Sequence, residues 1–290
     1  MPQSASFLRA LASGFVIALA PLASAQDQSP QEPPPVQPAD PAASPQPAEQ
    51  PPAADLPSAE SLFERHIEAI GGKDTIFAIT SRRASGTVKV YTSGQEQPVQ
   101  SGILRLNSKD NGTYTQEIIF PGQSTSIRYY DGKAGWVVSD TGAASLMNPE
   151  ELERITVAAR IRGEADYQNH FRSYRTIDKQ PLPDGDNVFI VEVTHFSGRT
   201  EALLFSENSG LLLGIIGVRK TSPDQQQQFR RSYEEYTDFG DGIKVPKIVR
   251  EAMGNFLFEM SFNAVETNVD IPDPVRPEGI PDADLSAFQK

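Results

Sequence analysis

From Ser85 onward, hydrophobic and polar residues alternate with a period of two, and the alternation is broken by short steps rich in Gly, Asn, Asp and Pro. The alternation predicts strands over 85–92, 99–106, 114–120, 124–130 and 135–139. A second series covers 173–179, 187–196, 199–206, 211–219, 230–239, 244–253 and 256–267. Tight-turn residues between consecutive strands predict an antiparallel meander. The stretch Gly254 to Val265 alternates most strongly: Phe256, Phe258, Met260, Phe262 and Ala264 fall on one face, with Glu259, Ser261 and Asn263 between them. Such an adaptable apolar face requires a cover, whether a closed core, a helix lid or the acyl chains of a ligand.

Two stretches change to helical spacing. Ser58 is an N-cap ahead of Leu62, Phe63, Ile67 and Ile70, and Gly71-Gly72 ends that helix before a short helical turn over 73–78. Asn148-Pro149-Glu150 opens a second helix whose stripe is Leu152, Ile155, Ala158, Ala159 and Ile161, and 166–174 continues as an irregular helical piece. A helix inserted among strands must pack across a sheet face, so this one is expected as a lid over the Phe256 face. The fold class is mainly β with α: a strongly curved, incomplete antiparallel β-barrel with helices covering its concave face.

Composition adds segments at both ends. Residues 1–25 read as a signal peptide, with Arg9, an apolar run over 11–22 and a cleavage site after Ala25; no Cys follows to carry a lipid anchor. An exported protein of the periplasm is therefore expected. Residues 26–57 are a Pro-rich disordered linker that could reach on the order of 100 Å at ~3.1 Å per residue. The folded domain is 58–270, and 271–290 is a mobile tail rich in Pro and acid.

The chain of 290 residues has no Cys, three His and a net charge of -12. That balance argues against nucleic acid and against adsorption to anionic lipid surfaces. His66, His170 and His195 lack ligand spacing, so no metal and no cofactor is expected. No nucleophile elbow, phosphate loop or His-Glu-x-x-His stands in the sequence. Glu150, Glu151 and Glu153 read as helix-dipole partners, His66 as a partly buried structural residue, and Arg82-Arg83 as solvated surface.

Three pieces in order resemble one family: Ile70-Gly71-Gly72-Lys73 followed by Gly86-Thr87-Val88; Tyr130-Asp131-Gly132-x-x-Gly135-Trp136 with its following helix; and Leu204-Phe205-Ser206-x-x-Ser209-Gly210-Leu211-Leu212 followed by Tyr233-x-x-Tyr236-x-x-Phe239-x-x-Gly242-Ile243-Lys244-Val245-Pro246. The chain resembles the LolA-like and LolB-like superfamily of periplasmic outer-membrane lipoprotein-sorting proteins over most of 58–270. The resemblance implies a barrel whose concavity holds lipoprotein acyl chains. The expected function is non-catalytic binding or carriage of lipid or lipoprotein acyl chains. Its cavity would be lined by Phe256, Phe258, Met260 and Phe262 of the strand and by Leu152, Ile155 and Ile161 of the lid. One alternative is an envelope protein-interaction module with a closed core; another is a hydrolase using His170 or His195. A continuous cavity of at least ~300 Å³ would favour the carrier over the module.

Overall fold

The computed structural model describes residues 56–286 except 123, 164, 223 and 224. The candidate signal peptide and nearly all of the linker lie outside the described residues. Thirteen strands form one antiparallel sheet. The first half is β1 (Ser81–Thr92), β2 (Gln100–Lys109), β3 (Thr113–Phe120), β4 (Ser124–Asp131), β5 (Gly135–Ser139) and β6 (Ala144–Leu146). The second half is β7 (Phe171–Pro181), β8 (Asn187–His195), β9 (Thr200–Ser206), β10 (Leu212–Ser222), β11 (Gln225–Asp238), β12 (Lys244–Met253) and β13 (Phe256–Thr267). Each half is a hairpin meander. They meet where β1 pairs with β13, so the strand order is β6-β5-β4-β3-β2-β1-β13-β12-β11-β10-β9-β8-β7 and the sheet stays open between β6 and β7.

The helices form for the local reasons that the sequence suggests. Helix α1 (Ala59–Ile70) is capped by Ser58, whose side chain accepts from the Ser61 N–H at 3.2 Å. A short helix, α2 (Lys73–Phe77), follows. Helix α3 (Pro149–Ala158) begins with a full capping box: the Asn148 side chain accepts from Glu151 N–H at 2.9 Å, and Glu151 accepts from Asn148 N–H at 3.1 Å. Only a 3₁₀ turn, Tyr167–Asn169, forms in the irregular piece expected over 166–174, and β7 begins at Phe171.

The three α-helices of the described residues pack on the same side of the sheet, the inner face. Leu62, Phe63, Ile67 and Ile70 of α1 are buried with Val191, Val193, Leu203 and Phe205 of β8 and β9. Phe63 stacks on Tyr167 with centroids 4.2 Å apart, so the crossover after α3 is built into the same core. Leu152 and Ile155 of α3 pack with Tyr114, Tyr130, Met147 and Ala159. Residues 271–286 touch this side as well: Lys109 pairs with Asp273 at 2.7 Å, Arg276 with Asp131 at 2.6 Å, and Leu285 packs on the α3 cluster.

The seam fixes which side chains face inward. Gly86 stands opposite Phe262, and Ser85 opposite Ala264, so Asn263 is an extra residue in a β-bulge. The bulge reverses the alternation. Val265, not Ala264, joins Phe262 in the buried seam cluster with Ala84, Val88, Leu104 and Val249, and Ala264 is exposed. A Cβ at Gly86 would stand 2.0 Å from the Ser261 carbonyl oxygen, so the strand approach admits only glycine there.

At the far end of the inner face, polar groups replace apolar ones. Glu251 accepts from Arg219 and, at 2.6 Å, from Arg231. Glu201 accepts from His195 Nε2 at 2.8 Å and pairs with Arg199. Arg199 also donates to Glu153 of α3 at 3.1 Å, which ties the helix to the β8–β9 hairpin. Burial alone would raise the Glu201 pKa; the His195 hydrogen bond and the Arg199 and His195 charges outweigh it and hold it at about 2. Burial likewise opposes the charge of Arg231, but Tyr233 and Glu251 raise its pKa above the ordinary arginine value.

Two predictions follow from these contacts. Gly71 has φ +133°, and a Cβ there would lie 2.4 Å from the Gly242 carbonyl oxygen, so α1 ends flush against the β11–β12 loop. Gly71→Ala should cost roughly 1–3 kcal/mol in denaturant unfolding. Gly72→Ala, at φ +84° with nothing nearer than 3.9 Å, should cost less. The second concerns pH. Because the folded-state pKa of Glu201 is depressed, its contribution is present above its ordinary value of 4.5 and is lost as pH falls toward about 2. The stability gap between wild type and Glu201→Gln should shrink over that window by on the order of 3 kcal/mol.

Candidate functional site

The inner face is hollow over the seam. A cavity of about 220 Å³ lies between α1, α2 and the strands on both sides of the β1–β13 pair. Its roof is Ile70 of α1, Ile76 of α2 and Ile79, all buried. Its floor is Ala84 of β1, Leu106 of β2, and Phe262 and Val265 of β13. Ala84 pairs with Val265 directly across the seam, and its small side chain leaves the floor unfilled. Tyr233 and Tyr236 of β11 both enter from the far side. They are three residues apart, and Glu235, at φ +54°, supplies the local change of direction between them. Ala158 and Lys244, both exposed, mark where the hollow reaches solvent.

Two ring groups are fixed by backbone contacts. His66 Nδ1 accepts from the Leu212 N–H at 3.1 Å, so a neutral ring carries its proton on Nε2. The Tyr236 hydroxyl donates to the Leu212 carbonyl at 2.7 Å. The remaining polar groups of the wall are Arg82, Ser108, Tyr114, Tyr233 and Lys244. Burial pushes the Tyr114 phenol up to about 12, so it stays protonated at any physiological pH. A second hollow, about 350 Å³, adjoins the first at Ile161 and has charged groups of both signs in its wall, Lys109, Asp110, Arg160, Arg162 and Asp166 among them.

The residues expected to line a binding cavity fall into three groups. Phe262 and Ile161 line the cavity over the seam. Met260 packs on the seam cluster, Phe258 stands opposite Val90 and Glu251, and Phe256 is 48% exposed at the start of β13. Leu152 and Ile155 are buried beneath α3 against Tyr114 and Tyr130 and do not line either hollow. Helix α3 therefore packs over β3 and β4 rather than over the Phe256 end of β13. The sequence reading missed Arg82. With the strand taken to begin at Ser85, Arg82 falls outside it; with β1 beginning at Ser81, Arg82, Ala84, Val88 and Val90 share the inner face. Arg83 is the solvated member of the pair, 3.9 Å from Glu266.

His195, considered above as a hydrolase residue, is 5% exposed and its Nε2 is bonded to Glu201. His170 Nε2 lies 4.0 Å from Asp166. Among the described residues no helix is long and apolar enough to cross a membrane.

No protein-family model and no curated protein matches the sequence. Solved structures do match. A LolA superfamily protein from Nitrosomonas europaea is 12% identical over 75% of this chain and 96% of its own, with a TM-score of 0.52. A Desulfovibrio piger protein of the DUF1329 family is 12% identical over 73% of this chain and 94% of its own, also at 0.52. A Vibrio parahaemolyticus domain assigned to outer membrane lipoprotein sorting is 11% identical over 74% of this chain and 95% of its own, at 0.51. At that identity what is shared is the fold: this chain's open, helix-covered antiparallel sheet is similar to the folds of these three structures, a LolA superfamily protein among them.

Proposed function

We propose that the protein is an exported, non-catalytic binding or carrier protein of the periplasm that shelters a lipid or lipoprotein acyl chain over the β1–β13 seam. The observation that carries this reading is the unfilled apolar hollow between the α1–α2 roof and the seam floor, open at Ala158 and Lys244. Closed cores pack to crystal-like density, and a hollow lined by Ile, Leu, Val and Phe loses dispersion contacts that an acyl chain would restore. Each methylene taken from water contributes ~0.8 kcal/mol before the costs of association. The likeness to a domain assigned to outer membrane lipoprotein sorting supports the same reading. At about 220 Å³ the hollow falls short of the ~300 Å³ named above as the mark of a carrier, yet the interior is not fully packed as the closed module requires; a space of this size suits one chain rather than several. Phe258 and Met260 extend the apolar strip along β13 and would meet a chain reaching past the cavity.

Native mass spectrometry of the gently purified full chain should show an adduct of lipid mass. Ala158→Trp, which fills the cavity mouth, should abolish the adduct without lowering Tm. Phe258→Asp with Met260→Asp should weaken it if the chain runs along β13. No adduct, together with no rise in Tm on adding phospholipid or acylated peptide, would overturn the carrier in favour of the interaction module.

A further inference from the structure

The cavity wall has a polar corner that the binding of a hydrocarbon chain does not use. Arg82 pairs with Ser108 across β1–β2, and Ser108 with Tyr114 across β2–β3. All three side chains line the cavity. Direct partners on neighbouring strands stand ~4.5–5.5 Å apart at Cβ, so the three form one continuous row. Among the described residues, none of these three side chains has a hydrogen-bond or ion-pair partner. The contrast with the neighbouring Arg83, which reaches Glu266 and the Asp270 carbonyl, is direct.

The charge of the wall is equally one-sided. The chain carries 38 Asp and Glu against 26 Lys and Arg, yet the cavity is lined by Arg82 and Lys244 and by no carboxylate. A half-buried guanidinium beside two hydroxyls, in an apolar hollow without a counter-charge, is an incomplete arrangement. A guanidinium fork and two O–H donors match the lone pairs of one oxyacid group. We infer that the cavity takes a single-chain amphiphile with an acid head, its oxygens held by Arg82, Ser108 and Tyr114 and its hydrocarbon lying over Phe262 and Val265. A long-chain fatty acid is the simplest such ligand. The inference rests on the carrier reading and narrows it. The small volume admits part of one chain, the rest of which would lie along Met260 and Phe258, and the row of donors supplies the acid.

The test measures binding to the full chain by titration calorimetry, using palmitate, 1-palmitoyl lysophosphatidate, hexadecanol and a triacylated lipopeptide. At least one of the two acids should bind roughly 10- to 100-fold more tightly than hexadecanol, the range of a charge-assisted hydrogen bond. Preference between the acids distinguishes carboxylate from phosphate. Arg82→Leu should erase that advantage and leave hexadecanol unchanged, and Tyr114→Phe should weaken the acid severalfold. If Arg82→Leu does not fold, Tyr114→Phe and Ser108→Ala carry the test together. Equal binding of acid and alcohol, or acid binding indifferent to these substitutions, would overturn the inference. Binding of the lipopeptide without either acid would overturn it and leave the carrier standing. Binding of none of the four would remove both.

Discussion

The pairing of β1 with β13 is the constraint on which everything else rests. It joins the first strand of the sheet to the last, across nearly the whole described chain, and makes one sheet of two meanders. Each meander alone would be held by local hairpins, but neither would have a floor for the cavity, because the floor is shared between Ala84 on one side and Phe262 and Val265 on the other. The seam also sets the route of the chain between halves. From β6 at one edge it must reach β7 at the other, and α3 with the 3₁₀ turn makes that crossing along the inner face. The strand order thus demands the crossing that α3 makes, whereas the α1–α2 roof precedes β1 and is held by its own packing against β8 and β9.

The inner face divides its work between two kinds of interior. Toward one end of the strands stand two ionic groups, Glu251 with Arg219 and Arg231, and Glu201 with His195 and Arg199. Charges removed from water are tolerable only when paired so completely, and removing one partner leaves the other stranded. Toward the other end the wall is apolar and under-filled, and there Arg82 stands without such a partner. The same sheet therefore holds its inner-face arginines in two ways: Arg199, Arg219 and Arg231 in ion pairs, and Arg82 at the wall of the hollow.

What the sequence made legible were features that local chemistry decides. Ser58 and Asn148 announce their helices because a cap is a short-range hydrogen bond, and the hairpin turns announce theirs because few residues accept the backbone angles required. Side-chain direction was less accessible. Period-two counting placed Phe256 to Phe262 together correctly, then failed at Ala264, because a bulge at Asn263 is set by the partner strand and leaves no mark in β13 itself. Arg82 was misread for a related reason: its face depends on where β1 begins. The three-residue β6 was missed because so few positions show no period. Leu152 and Ile155 were placed under a helix, as they are, but which strands lie beneath that helix is decided by the route from β6 to β7.

An open sheet must also live with its two edges. Thirteen strands that do not close leave unpaired N–H and C=O groups along β6 and β7, and such a row is a template on which a second chain can add. The β6 edge is only three residues long. The β7 edge is eleven, and it is interrupted twice, with register shifts between Phe171 and Ser173 and between Thr176 and Asp178. Arg172, Arg175, Asp178 and Lys179 project from it into solvent. An incoming strand would meet a kinked backbone and mixed charge in place of a straight ladder. The protein can thus leave a curved sheet open at both edges while remaining a poor seed for polymers of itself.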